Sequence, residues 1–402
     1  MNKDNLPPVP LIVTSLGVAA ALLGDAMLYV VMPSRPEFWS LTIFQVGILL
    51  SANRFVRFFT NPLSSYIVNK FGVYRPFKLT LIGSLGVLAM YALSTSFIVL
   101  LLARLLWGAC WSVLRLVSQW IASDVSSEAN VGLYLATNAS LIRIGSIGGA
   151  VFGGLLSDYL GYRRTFLIFG VFTLLSWFCW LKYSRYGSSN VSTNSNEGNR
   201  NFLSLLKDRE VFLLGISGLT VGIVISGLMS ASLGHFIRAK FGVEFDLLMF
   251  TVTVTGLTGI LLGFRSLAEV GVGPFGGYIS DRYGRLKVLI FSVAITSIGL
   301  LLLGISDSPE FITVMLLLVF VGGVLLTVQL LPLVSLIAEK HSRSEVFSVY
   351  NTFQDFGSAL GPFIGLSLIS AAYLPYLFQV CSLLLIALVL VLIFKFKRHF
   401  QT

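Results

Sequence analysis

The sequence predicts an all-α membrane protein in which twelve transmembrane helices form two pseudo-symmetric six-helix bundles. The 402-residue chain is 55% hydrophobic and only 11% charged, with a mean hydropathy of +0.86, whereas soluble proteins carry about 25% charged residues. Apolar stretches of roughly 20 residues, long enough to cross a bilayer, recur along the chain. The two halves of the chain also repeat each other. Alternating strands around a polar lumen are absent from this pattern, which excludes a β-barrel.

Twelve apolar spans follow one another, separated by short polar segments. An even number of spans places both chain termini on the same side of the membrane. We place the spans at residues 11–33, 41–68, 77–96, 98–122, 131–157, 164–184, 211–236, 247–279, 286–305, 311–338, 346–371 and 374–394.

The segment between the sixth and seventh spans differs in composition from the rest of the chain. Residues 185–202, RYGSSNVSTNSNEGNRNF, are rich in Ser and Asn and nearly free of large apolar groups. This composition is typical of a flexible linker. It predicts an N-terminal six-helix bundle at 1–184, a cytoplasmic linker at 185–210 and a C-terminal six-helix bundle at 211–402.

Three segments of the first half align with segments of the second half. Their offset stays between 212 and 215 residues, which chance matches would not do. Within the first half, the loop pattern of 64–75 recurs three spans later. Repeats nested inside two halves are a known transporter design. The aligned pairs are 61–78 with 273–289, 108–124 with 323–339, and 143–153 with 355–365.

The basic residues are distributed asymmetrically, which argues against nucleic acid as the reason for the net charge of +10. Six arginines lie inside spans, seventeen Lys or Arg lie in the termini and alternate loops on one side, and five lie on the other side. Loops rich in Lys and Arg face the cytoplasm. We therefore expect a multi-pass protein of the plasma (inner) membrane with both termini cytoplasmic.

The three cysteines all lie in spans, so neither a disulfide framework nor a thiolate metal site follows from them. We expect no metal and no cofactor. The first ten residues, MNKDNLPPVP, precede a full-length span and lack the features of a cleaved secretory signal.

Three motifs resemble those of a known family. GGYISDRYGRLK at 276–287 fits the loop signature G-x3-D-R-x-G-R-x-[KR] of the major facilitator superfamily. LLARLLWGACWS at 101–112 fits the fourth-helix motif L-x-x-R-x-x-x-G of its proton-coupled antiporters. GGAVFGG at 148–154 is similar to the antiporter motif G-P-x-x-G-G, with Ala150 in place of the proline. Asn69 stands where the family usually has Asp. The chain resembles this superfamily over nearly its whole length, and its drug/proton antiporter branch in particular.

The resemblance implies alternating access, in which two bundles rock about a central site and open it first to one side and then to the other. In proton-coupled relatives an acid of span 1 often pairs with the arginine of span 4. In this chain those positions are Asp25 and Arg104.

Nine charged residues lie inside the predicted spans, away from the span ends. A charge at the bilayer centre costs at least about 2.5–3.5 kcal/mol, so these residues must face a cavity or a partner. Arg104 and Arg115 are eleven residues apart, which is three helical turns, so we expect both to face the central cavity. The candidate cavity residues are Arg54, Arg57, Arg104, Arg115, Arg143 and Arg265, and the candidate proton-coupling acids are Asp25, Glu269 and Asp355.

Asp25 is the first of these candidate acids. Burial favours its neutral form and a nearby arginine favours its carboxylate, and this competition can couple protons to transport. The alternative is a static bridge from Asp25 to Arg104 or Arg115 that helps the helices assemble.

Repeat-equivalent positions differ in charge between the halves. Arg57 corresponds to Glu269, and Arg143 corresponds to Asp355. The cavity of the first half is therefore cationic, which suits an anionic or zwitterionic group on the substrate. Arg265 lies four residues before Glu269, so an ion pair within one helix is the simplest interpretation of these two.

Residues near the predicted cytoplasmic ends of spans 2, 4, 8 and 10 are expected to control gating. A carboxylate there can cap a neighbouring helix and pair with loop arginines in one conformation only. Asp124 and Glu339 are the expected partners of Arg75 and Arg285, and a solvated surface is the alternative. The glycines at 145–154 are expected to permit close helix contact, which in this family tends to be between spans 5 and 8 or between spans 2 and 11. The gating set is Asn69, Arg75, Asp124, Gly277, Asp281, Arg282, Gly284, Arg285 and Glu339.

The sequence therefore predicts a monomeric secondary transporter that exports a small organic compound, anionic or amphipathic, by proton-coupled antiport. An importer or facilitator of an anionic metabolite or a lipid-like substrate is the alternative. An enzyme is not expected, since no cavity His pair, HExxH, Walker A motif or nucleophile elbow is present. The partners are a small molecule, protons and the bilayer, with no nucleic acid.

Overall fold

Long helices form almost all of the chain in the computed structural model, which describes residues 8–126, 130–183, 207–305, 307–338, 343–368 and 370–396. We number twelve helices in these residues. They are α1 (Val9–Ser34), α2 (Ile43–Phe71), α3 (Tyr74–Leu93), α4 (Phe97–Asp124), α5 (Val131–Leu160), α6 (Tyr162–Tyr183), α7 (Arg209–Phe241), α8 (Val254–Tyr283), α9 (Arg285–Leu302), α10 (Pro309–Ala338), α11 (Arg343–Pro362) and α12 (Leu374–Phe396). The predicted all-α membrane fold is confirmed.

Two helices depart from α geometry over one segment each. α7 is π-helical over Gly222–Met229, and α11 continues as a π-helix over Phe363–Leu368. Local π geometry changes which backbone carbonyls have a partner within the helix, and it is frequent at functional sites. A side chain from another helix can then donate a hydrogen bond to a carbonyl that has no partner within its own helix.

Local sequence explains where helices begin and end. Thr42 and Gln45 form a reciprocal capping box at the start of α2. α2 ends at Gly72 and α8 ends at Gly284, with backbone φ angles of 72° and 95°. Side chains with a Cβ rarely adopt this region, so the motif glycines are required for the chain to turn there.

The charged helices are distinguished by composition. Among the described residues, nine helices are long and apolar enough to cross a membrane by themselves. The three that fall short are α2, α8 and α11, which carry Arg54, Arg57, Arg265, Glu269 and Asp355. These five charged residues lower the hydropathy of their helices, and all five line the larger cavity between the helices.

The predicted start of span 8 at residue 247 is wrong. Glu244–Leu247 and Phe250–Thr253 form a two-stranded antiparallel hairpin, β1 and β2, and α8 begins only at Val254. The β-branched residues of 250–254 were counted as part of an apolar span, although they suit a strand equally well. Thr253 caps α8 by accepting a hydrogen bond from the amide of Gly256 at 3.0 Å.

Helices α1–α6 pack together, as do α7–α12, and four seams join the two sets: α5 with α8, α2 with α11, α1 with α7 and α1 with α8. The glycines of α5 pack closely on two neighbours, the expected α8 and also α1. A Cβ on Gly145 would lie 2.1 Å from the carbonyl oxygen of Ala19, and one on Gly149 would lie 2.2 Å from that of Leu23. The glycine face of α5 thus packs mainly on α1, and only Gly154 approaches α8 this closely.

One end of the molecule is closed by contacts between the two sets of helices. A Cβ on Gly234 of α7 would lie 2.1 Å from Oγ of Ser34 at the end of α1. Arg238 donates to the Ser34 carbonyl at 2.9 Å, and Ser367 donates to the Phe44 carbonyl at 3.0 Å. A Cβ at Gly234 would therefore displace the Ser34 hydroxyl while this seam is closed.

Candidate functional site

Two adjoining cavities lie between the two sets of helices, with volumes of about 600 and 760 Å³. The smaller one extends towards the end at which α2 and α4 end and α11 begins. Exposed polar side chains line its mouth. The lining residues common to both cavities are Arg54, Arg57, Arg115, Gln119 and Asp355. The structure therefore brings four of the charged candidate residues, together with Gln119, to the wall between the two cavities.

Asp25 of α1 and Arg104 of α4 form a buried ion pair through Oδ1 and Nη1. Arg104 also donates from Nε to the Leu49 carbonyl at 2.9 Å, and Asn53 donates to Asp25 Oδ1 at 3.4 Å. Tyr29 lies 5.6 Å from the Arg104 guanidinium. The carboxylate thus has two polar partners on neighbouring helices, and it lines the larger cavity.

The expectation that Arg104 faces the cavity together with Arg115 is wrong. Arg104 is completely buried, with 0% of its surface exposed, and it lies behind Asp25. Its charge is neutralised there, so it needs no contact with the cavity. Arg115, three turns further on, is exposed and lines both cavities. Although the two arginines lie on the same face of α4, Arg104 is buried in the protein and Arg115 lines the cavities.

Arg54 of α2 connects to both α7 and α11. Its Nη1 donates to the Ser226 carbonyl at 3.0 Å and to the Ser358 carbonyl at 2.9 Å. Pro362 has no backbone N–H and cannot donate to Ser358, the residue four positions earlier. Ser226 lies within the π-helical part of α7. Arg54 is therefore held by backbone acceptors, not by a carboxylate.

Glu269 of α8 is shared by two arginines. It pairs with Arg143 of α5 and, across 3.3 Å, with Arg265 one turn earlier on α8. Arg265 also donates to Oγ of Ser230 on α7. The ion pair within α8 is present, and the contact with Arg143 extends it across the seam between α5 and α8.

Arg57 and Arg115 line the cavities in a different way. The Arg57 guanidinium carbon lies 5.4 Å from the Trp111 ring centroid, and its buried Nε has no hydrogen-bond partner among the described residues. Neither Arg57 nor Arg115 forms an ion pair with any described carboxylate. Asp355 lines both cavities and likewise forms no ion pair in the described part of the chain. The cavity is therefore lined by two arginines that have no carboxylate partner among the described residues.

A carboxylate at the closed end joins α5 to the start of α8. Asp158 accepts hydrogen bonds from Oγ1 of Thr253 and of Thr255, each at 2.6 Å. It lies in the segment 153–164 that repeats the loop pattern of 64–75. The repeat is visible in the sequence, but it does not by itself indicate a role for Asp158.

The residues expected to control gating lie at the open end. Asn69, Arg75, Asp124 and Arg282 are exposed there, as are Gly284 and Arg285. Asp124 and Arg75, both described, form no ion pair with each other, although α3 and α4 pack together. The side chains of Asp281 and Gly277 fall outside the described residues, as do Glu339 and the linker 185–202.

Several polar contacts were missed by sequence reasoning. Asn138 of α5 accepts a hydrogen bond from Ser15 of α1 at 2.7 Å, within the wall of the larger cavity. Polar residues inside apolar spans are the signal that could have found Asn53 and Asn138. In the described residues, no group of three His, Cys, Asp or Glu could hold a metal ion.

A family model described as Major Facilitator Superfamily matches residues 14–266 and 250–401. The multi-drug resistance efflux pump PmrA homolog of Lactococcus lactis subsp. lactis (strain IL1403) is 22% identical over 273 residues, which cover 68% of this chain and 65% of the relative. The multidrug resistance protein MdtG of Citrobacter koseri is 24% identical over 371 residues, covering 92% and 84%.

MdtH of Yersinia enterocolitica is 29% identical over 109 residues, which cover 27% of each protein. The match thus covers less than two thirds of the length of the Lactococcus and Yersinia relatives. Among solved structures, a POT family transporter in complex with 5-aminolevulinic acid has a TM-score of 0.77 at 13% identity, covering 98% and 97% of the two chains. The nucleoside transporter NupG has a TM-score of 0.74 at 15% identity, covering 96% and 98%. At these identities the structural likeness shows the fold.

Proposed function

The chain belongs to the Major Facilitator Superfamily, and from this premise we propose that it is a secondary active transporter that exports small organic molecules in exchange for protons. The names of the curated relatives, which are multidrug efflux and resistance proteins, support export. The observation that carries proton exchange is the Asp25–Arg104 pair, because it places a buried carboxylate at the wall of the cavity. Neither the family nor the fold suggests an enzyme.

The proposed cycle is alternating access between two six-helix bundles, 1–184 and 211–402, joined by a cytoplasmic linker at 185–210. Both termini lie in the cytoplasm and the protein is a monomer of the inner membrane. The structure then corresponds to a state open to the cytoplasm and closed outside. The loop residues of the gating set, Asp281 among them, hold the cytoplasmic end closed in the opposite state.

Proton exchange is proposed to occur at Asp25. A proton that enters from outside binds the carboxylate and removes its negative charge, which weakens the pair with Arg104. Arg104 keeps its hydrogen bond to the Leu49 carbonyl, and Asn53 remains beside the acid. A charged substrate in the cavity alters the affinity of Asp25 for its proton, so the binding of substrate and the binding of the proton influence each other. Glu269 and Asp355 are the next candidates.

Purified protein in liposomes with an internal pH dye tests this function. Ethidium, a cation, and 2-naphthoate, an anion, are added as probes under a proton gradient. We expect probe-driven proton movement in the parent protein and none with Asp25→Asn, which still binds the probe. Flux of a probe without proton movement in the parent would indicate a facilitator, and proton-driven accumulation in the direction of the proton would indicate an importer.

Orientation has a separate test. Residue 188 lies in the proposed cytoplasmic linker, so a single cysteine in place of Ser188 should not react with a membrane-impermeant thiol reagent added to intact cells. The same cysteine should react after the cells are permeabilised. Ready labelling from outside would reverse the proposed topology.

A further inference from the structure

Positive charge dominates the walls of the two cavities. Among the described lining residues there are five arginines but three carboxylates. Two of these carboxylates are already paired: Asp25 with Arg104 behind it, and Glu269 with arginines of α5 and α8. Asp355 alone remains for the other arginines of the described lining. An incoming ligand therefore meets a positive field.

Arg57 and Arg115 have guanidinium donors without an ion-pair partner in the described structure. Arg54, in contrast, is held by two backbone carbonyls. Arg57 lies beside the Trp111 ring with its Nε buried and unpartnered in the described structure. Arg115 lies one helical turn beyond Trp111 and is exposed to the cavity. A charged donor left without an acceptor inside a membrane protein is costly, so a ligand that supplies the acceptor is favoured.

The surroundings of the two arginines are apolar. Trp111 of α4 lies beside Arg57 of α2 and one turn before Arg115. Aliphatic side chains from both bundles line the same cavity: Leu22, Ile225, Val324 and Val328. The volume of about 760 Å³ lies within the usual range for sites that bind small organic ligands. The space thus combines an apolar surface with two guanidinium groups.

We propose that the cavity selects organic anions, with a compact oxyanion between Arg57 and Arg115 and an aromatic or aliphatic body against Trp111. Carboxylate, sulfonate and phosphonate groups share this chemistry, since each offers oxygens that match a guanidinium fork. A purely cationic compound is disfavoured by the same field. The proposal rests on the proposed transport function and names the substrate class of that site.

Three compounds with one aromatic body test the proposal: 2-naphthoate, 2-naphthalenemethanol and 2-naphthylmethylammonium. Equilibrium dialysis against the purified full-length protein measures their affinities. We expect the anion to bind at least about tenfold more tightly than the cation, a difference of ~1.4 kcal/mol. Arg57→Gln and Arg115→Gln should each weaken naphthoate binding about tenfold and leave the neutral alcohol unaffected.

Two further variants separate binding from folding. Arg115→Lys keeps the charge and should retain more naphthoate affinity than Arg115→Gln. Arg163→Gln removes an exposed arginine at the closed end, outside both cavities, and should bind all three compounds as the parent does. A loss of the alcohol and the anion together in every arginine variant would indicate structural damage and would contradict the proposal.

The proposal is overturned if the cation binds as tightly as the anion, if the anion does not bind, or if naphthoate affinity in both glutamine variants is the same as in the parent. These outcomes are independent of transport. Arginine-dependent naphthoate binding without any proton-coupled flux would leave the substrate class standing and remove the proposed function. Proton-coupled ethidium flux without naphthoate binding would do the reverse.

Discussion

Arg54 of α2 donates from Nη1 to the backbone carbonyl of Ser358 in α11 at 2.9 Å, across the boundary between the two bundles. Pro362 leaves that carbonyl without its usual donor within the helix. The same nitrogen reaches the Ser226 carbonyl in the π-helical part of α7. A cationic side chain of one bundle thus satisfies backbone acceptors of the other, which links a local helix irregularity to the relative position of the bundles.

The first prediction is that Arg54 stabilises the conformation described here. A hydrogen bond from a charged donor contributes about 1.5–3 kcal/mol. Arg54→Gln should therefore raise the population that is open at the opposite end by about tenfold. The readout is the alkylation rate of a cysteine at Ser34, which is fully buried in the α1–α7 seam, in a background without other cysteines.

Pro362→Ala tests the same contact from the other side. An alanine supplies the N–H that proline lacks, so it competes with Arg54 for the Ser358 carbonyl. We expect a smaller rise in Ser34→Cys alkylation than with Arg54→Gln. Equal rates in the parent and both variants would show that this contact does not control the conformation.

The second prediction concerns the energetic dependence of Arg104 on Asp25. Removal of one partner of a buried ion pair is strongly destabilising, by about 3–5 kcal/mol, because it leaves the other charge uncompensated. Arg104→Gln and Asp25→Asn should each lower the thermal unfolding temperature in detergent more than the double variant does. Additive effects of the two substitutions would mean that the pair is not coupled.

Part of this site could be predicted from the sequence. The position of Arg104 in a family motif, together with an acid in span 1, indicated the partner that the structure places beside it. Arg265 and Glu269 have the four-residue spacing of a helical pair. In both cases the information lies in residue types at fixed spacings along one or two helices.

Other contacts were beyond sequence reasoning for physical reasons. The partners of Arg54 are backbone carbonyls, which carry no residue type, and Glu269 gains Arg143 only because α5 and α8 adjoin. The burial of Arg104 depends on the rotation of α4 about its axis, which spacing alone does not fix. The hairpin before α8 consists of residues that suit both a strand and an apolar helix.

The third prediction is that Asp158 stabilises the closed end of the molecule. It accepts hydrogen bonds from Thr253 and Thr255, which join α5 to the first turn of α8. Asp158→Ala should leave these hydroxyls without their acceptor and raise Ser34→Cys alkylation about tenfold. Tyr159→Ala is the matched control, since that side chain is 84% exposed. A similar rise in the control would assign the effect to the loop as a whole.

The fourth prediction concerns the close packing of α5 on α1. Gly145→Ala would place a Cβ 2.1 Å from the Ala19 carbonyl oxygen, so the helices must separate. Overpacking of this kind costs about 1–3 kcal/mol, and we expect a lower unfolding temperature. Gly170→Ala in α6 has no atom within 4 Å of the added carbon and should raise stability, since alanine favours helix by about 1 kcal/mol. An unfolding temperature that Gly145→Ala does not lower would show that the α1–α5 seam tolerates separation.

The last prediction is that an organic anion promotes closure of the cavity mouth. Closure around an empty site buries Arg57 and Arg115 without counter-charges, at a cost of at least about 2.5 kcal/mol for each arginine. A bound oxyanion offsets this cost, so a substrate-loaded transporter closes more readily than an empty one, which would favour exchange over leak.

Spin labels at Ser65 and Asn351, which line the mouth of the smaller cavity, measure the closure. We expect 2-naphthoate to shift their distance distribution to shorter values and 2-naphthylmethylammonium to leave it unchanged. In the double variant Arg57→Gln/Arg115→Gln the shorter distances should appear without any ligand, because neutral side chains remove the cost of closing. If that variant stays as open as the parent, the barrier to closure lies in the packing of the helices and not in the charge of the two arginines.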